Sequence, residues 1–162
     1  MATTNTEANF DELSWHDCSI WGMALQNGGG EPAFEPADLA FDIDFIVEWV
    51  CVVGAPARFR VAPATLVFHN VTDLRIEVGT THGGDYRMAV SPLPIIRINR
   101  QPIERPGGYP GPPSFAWTLE LGTPTPGEIH FGASGFTQEL RAEPVLTDRQ
   151  SLTIAERARR PF

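Results

Sequence analysis

Between Leu39 and Trp49 every second residue is apolar: Leu39, Phe41, Ile43, Phe45, Val47 and Trp49. The intervening positions include Asp42, Asp44 and Glu48, with Ile46 among them. Successive side chains of a strand point to opposite faces, so this spacing predicts one long strand with a dry side and a wet side. Phe41, Ile43, Phe45 and Val47 are expected in the core, and Asp42 and Asp44 in water.

The same signal recurs along the chain. Ser19 to Leu25 reads as the preceding strand, separated from the long one by the Asn27-Gly-Gly-Gly30 turn signal and expected to pair with it. Arg58 to Ala62, Thr65 to Val71, Leu74 to Val78, Tyr86 to Val90, Ile95 to Asn99, Phe115 to Leu121, Glu128 to Ala133 and Phe136 to Arg141 follow, each bounded by Gly, Pro, Asn or Asp. Fifteen Gly and fifteen Pro would break long helices. No helix-length pattern sits between the strands as a parallel sheet would need. The expectation is an all-β, mainly antiparallel fold: a single-domain sandwich or barrel of about eight to nine strands with a short C-terminal helix.

A chain of 162 residues suits one domain. Residues 1–12 read as a flexible lead-in, 13–146 as the β domain, and 147–162 as a short helix followed by a basic tail. Thr147 with Gln150 has the spacing of a helix capping box. The opening residues lack the basic and apolar runs of a secretory signal, which leads us to expect a cytoplasmic protein. The apolar run Trp49 to Ala57 falls far short of the roughly 20 residues that cross a bilayer. Cys18 and Cys51 are expected as buried free thiols.

The net charge of −8 argues against nucleic acid or an anionic membrane as partner. The charge is also uneven: ten Asp or Glu and no Arg precede Arg58, whereas the last 22 residues hold five Arg. An acidic N-terminal third can dock a basic protein or simply keep the domain soluble.

Catalytic candidates come from imidazoles with nearby carboxylates. His16 adjoins Asp17, His69 lies near Asp73, and His82 near Asp85, so each could orient a general base. Asp17 and Asp73 more often serve as turn or cap acceptors. Asp42, Asp44 and Glu48 share a strand face, where they could act as an acid/base pair, hold a hard cation or meet water. No paired histidines have metal-ligand spacing, so no metal is expected. Ser134 lacks the full pattern of a nucleophile elbow. Neither Gly28 to Gly30 nor Gly83-Gly84 has phosphate-loop spacing, and no cofactor is expected. Pro102 to Pro113 reads as a stiff surface loop or a polyproline ligand. Trp15, Trp21, Trp49 and Trp117 could line a barrel cavity, but the alternation puts Trp49 and Trp117 in the core.

Four segments resemble a family of small bacterial proteins to which no activity is assigned: Ser14-Trp-His-Asp17, Asp42 to Trp49, Ala62 to Leu74 and Ala133 to Gln138. The resemblance spans most of residues 13–152 and implies no catalytic or binding residues. In size and acidity the chain is similar in a general way to immunity proteins of polymorphic toxins.

These features favour a protein that acts by binding, through an acidic N-terminal face with Asp42, Asp44 and Glu48, to a basic protein partner, in an immunity-type role. The alternatives are a hydrolase built on His16, Asp17 and His69 with Asp42 or Asp44, and a small-ligand carrier in a barrel mouth.

Overall fold

The computed structural model describes residues 4–27, 36–79, 92–104 and 114–157. Within them lie ten strands: β1 (Thr4–Thr6), β2 (Ser19–Asn27), β3 (Ala37–Val50), β4 (Arg58–His69), β5 (Thr72–Val78), β6 (Leu93–Pro102), β7 (Phe115–Leu121), β8 (Gly127–Ala133), β9 (Gly135–Leu140) and β10 (Val145–Thr147). A short 3-10 helix, Glu7–Glu12, joins β1 to β2. The strands form one sheet in the order β1-β9-β4-β3-β2-β6-β7-β8-β5, with β10 paired beside β9 on β4. The ladders are antiparallel, so the all-β class read from the alternation is the class observed.

The sheet is bent. β2 and β6 share only the positions Ser19↔Pro94 and Ile20↔Leu93. Across that narrow seam the chain folds back until Phe68 of β4 lies with its ring 4.7 Å from Phe131 of β8 and 4.9 Å from Trp117 of β7. Strands that far apart in a flat sheet could not touch, because neighbours are spaced by nearly 5 Å. The core between the two arms holds Phe41, Ile43, Leu66, Phe68, Ile95, Trp117, Leu119 and Ile129. Two crossings between the arms, at Asn70 and at Ser134, are tied together. The Ser134 amide donates to the His69 carbonyl at 2.9 Å, and Asn70 Nδ2 donates to Ser134 Oγ at 2.9 Å.

Several local expectations change. The break expected at Pro63 is absent, and one strand runs from Arg58 to His69. Pro63 sits where β10, which ends its pairing at Val61, hands over to β9, which begins at Ala64. A residue without an N–H fits that gap. A bulge between Ile46 and Glu48 inserts Val47 as an extra residue and turns it outward. Phe41, Ile43 and Phe45 are therefore buried, but Val47 is exposed and so is Trp49, against expectation. Trp117 is in the core as expected.

Residues 4–12, read as a flexible lead-in, form β1 against β9 and the 3-10 helix. Thr147 ends β10 instead of opening a helix. The capping box sits six residues further on, where the Thr153 amide donates to Glu156 Oε2 at 2.7 Å and the Glu156 amide to Thr153 Oγ1 at 3.3 Å. It begins a single turn closed by Arg157 N to Thr153 O at 3.1 Å. The expected strand at 86–90, the His82–Asp85 pair and the proline loop beyond Glu104 lie outside the described residues.

Candidate functional site

The outer face of β3 was expected to be wet, and it is not. Asp42 is 8% exposed and Asp44 0%. The C-terminal segment crosses this face, burying Leu152 and placing the Arg157 guanidinium against both carboxylates. Arg141, just beyond β9, pairs with Asp42 as well. Asp44 also accepts from Trp21 Nε1 at 2.7 Å and from the Leu152 amide at 2.9 Å. Trp21 reaches it because a bulge between Ile20 and Gly22 makes Trp21 the extra residue of β2. Arg157 lies over the same indole, 5.0 Å from the ring centre.

Burial raises the Asp44 carboxyl above its usual range, although its amide, guanidinium and indole donors pull the other way. Burial likewise lowers the Arg141 guanidinium. Two acids and two arginines thus neutralise one another inside the fold. Asp42 and Asp44 are correctly placed on one strand face, but they hold the chain's own C-terminal segment.

Glu48, the third acid of that expected face, stays outside. It pairs with Arg60 across the β3–β4 hairpin at 2.9 Å. Beside it Trp49 is 45% exposed, with one edge on Phe59 at 4.9 Å and one face toward His16 at 6.5 Å. Val47, Val52 and Val53 are exposed around the same hairpin tip.

His16 and Asp17 do not form a base and its orienter. His16 Nδ1 donates to the Ile96 carbonyl at 3.0 Å, while its Nε2 is 3.6 Å from Asp17, too far for a hydrogen bond. Asp17 has a left-handed backbone (φ 62°) and accepts from Gln150 Nε2 at 2.8 Å. Both act as fasteners between segments.

His69 is different. Its Nδ1 lies 2.9 Å from Asp38 Oδ2 and its Nε2 3.0 Å from Thr137 Oγ1. The partner is Asp38, not the neighbouring Asp73, which has a left-handed backbone (φ 54°) at an irregularity near the start of β5. The register explains why: Leu39 faces Phe68, so Asp38 stands at the level of His69, and Val67 faces Thr137 on the other side. Asp38 and Thr137 lie 31 and 68 residues from His69, so proximity along the chain does not point to them. A hairpin turning near Gly54 would have matched residue 38 with residue 69. A second histidine, His130, lies between Thr118 Oγ1 at 3.1 Å and Glu128 Oε2 at 2.9 Å, on the opposite arm.

Among the described residues no group of three or more His, Cys, Asp or Glu could hold a metal ion. No helix among them is long and apolar enough to cross a membrane. Comparison with family models, with curated proteins and with solved structures finds no match to this chain.

Proposed function

We propose that the protein works by docking a basic protein partner, and that the contact is the tip of the β3–β4 hairpin together with Glu48. The observation that carries this reading is Trp49, a large aromatic left nearly half in water, with Val47, Val52 and Val53 exposed around it. Apolar side chains left exposed on one hairpin favour an interaction site there, and tryptophan is prominent among the residues that dominate interface energy. The net charge of −8 supplies long-range attraction for a basic partner, and Glu48, whose side chain is 57% exposed even in its pair with Arg60, keeps a carboxylate at the rim of the apolar tip. Asp42 and Asp44 drop out as contacts because Arg141 and Arg157 already occupy them. An inhibitor of the immunity type is one form that such docking takes.

The test is affinity capture from the native cell with three baits: wild type, Trp49→Ala and Val53→Asp. A partner retained by wild type and lost by both variants, with the variants still folded, supports the reading. A partner held equally by all three places the contact elsewhere.

A further inference from the structure

Asp38, His69 and Thr137 come from three adjacent strands and connect in series. A carboxylate can only accept a hydrogen bond, so His69 Nδ1 must carry the proton facing Asp38. In the neutral ring Nε2 is then a lone pair, and the Thr137 hydroxyl must be the donor of the 3.0 Å contact. The carboxylate therefore fixes the tautomer that points a base at a hydroxyl. Asp38 is itself held, because its other oxygen accepts from the Asn70 amide at 3.0 Å. Its side chain is 18% exposed and that of His69 34%, so the relay is anchored at the acid end and open at the imidazole. The residues opposite Thr137 are Thr6 of β1 and Val67 of β4, so short side chains flank it on both sides.

We propose that Asp38, His69 and Thr137 form a nucleophilic site that accepts the acyl group of small activated carboxylic esters. Thr137 Oγ attacks the ester carbonyl while its proton passes to His69 Nε2. The bond to the leaving oxygen then breaks, and His69 returns the proton to that oxygen. The products are an acyl-threonine ester and the free alcohol. Water, deprotonated by the same imidazole, cleaves the acyl-threonine to a carboxylic acid and restores the hydroxyl. Thr137 and His69 are the catalytic residues, and Asp38 is a positioning residue. The Glu128–His130–Thr118 network joins the same kinds of group with the ring nitrogens exchanged, Glu128 facing Nε2 and Thr118 facing Nδ1. There the acid and the imidazole are two residues apart on one strand and more exposed, at 51% and 39%. It serves as an internal control for what any surface imidazole does.

The experiment uses the full chain and p-nitrophenyl acetate, with the acetyl group located by peptide mass spectrometry. Acetyl on Thr137 and not on Thr118 is expected. His69→Gln should slow acetylation at least about 100-fold, the lower end of what a positioned base contributes. Asp38→Asn should lower the maximal rate but leave the half-saturating ester concentration unchanged, a split that a general loss of structure would not produce. Thr137→Ser should still be acetylated, since it keeps the hydroxyl. Equal acetylation of Thr118 and Thr137, acetyl found only on Cys51 or the amino terminus, or a rate unchanged by Thr137→Val would each overturn the proposal.

Discussion

The carboxylate of Asp44, with no surface in water, is ion-paired to Arg157, 113 residues further along the chain. Removing one member of a buried pair strands the other, at a cost of about 3–5 kcal/mol. Arg157→Met and Asp44→Asn should therefore each destabilise the domain strongly. The double variant should cost less than the two singles together, because neither charge is then left alone. Urea denaturation of the four proteins measures the coupling. Additive effects would show that the pair does not hold the C-terminal segment in place.

The two thiols should behave oppositely. Cys18 is buried, and burial pushes its thiol up to about 12, whereas Cys51 is exposed. One thiol per native chain should react with a disulfide reagent at mild pH, and the second only on unfolding. The raised Cys18 value also has a stability consequence. From its usual 9.0 up to about 12 the unfolded chain loses that proton while the folded chain keeps it. Stability from this group is complete below the lower value and falls as pH rises across the window, by about 1.4 kcal/mol per pH unit. Cys18→Ala should flatten the alkaline arm of the stability curve.

How far the fold could be read in advance depended on how local its causes are. The strands around Phe41, Trp117 and Ile129 follow from alternation because the period of two is a property of each segment. The bulge at Val47 changes the period by one residue and leaves no composition signal. Asp42 and Asp44 look the same in sequence whether their strand face meets water or Arg157, so their burial is a consequence of chain crossing. His69 was identifiable as a chemical group, yet Asp38 and Thr137 become its neighbours only through pairing register.

Phe68 should be the most sensitive point of the core. Its ring meets Phe41 and Phe136 on its own arm, at 6.0 Å each, as well as Trp117 and Phe131 across the interior. Phe68→Ala leaves a cavity where the two arms meet and should cost about 3–5 kcal/mol. Phe68→Leu fills much of that space and should cost less. Thermal or denaturant unfolding distinguishes them, and a small effect of the alanine variant would mean that the arms are held chiefly by other contacts.

Two glycines of β8 should respond differently to the same added methyl group. A Cβ on Gly127 would run into the Glu77 carbonyl oxygen and lie 2.9 Å from Val78 Cα, both backbone atoms of β5. Backbone in a paired strand cannot rotate aside, so Gly127→Ala should push β5 from β8 at a cost of about 1–3 kcal/mol. A Cβ on Gly132 would instead meet the Thr72 hydroxyl, the end of a side chain. Gly132→Ala should therefore be partly tolerated, and Thr72→Ala should relieve what remains. Stability measurements on the two alanine variants, and on Gly132→Ala combined with Thr72→Ala, separate the cases. Hydrogen exchange of the Arg75 to Val78 amides reports the pairing directly, and it should accelerate only in Gly127→Ala. Unchanged protection there would show that β5 can move away from Gly127 without losing its ladder.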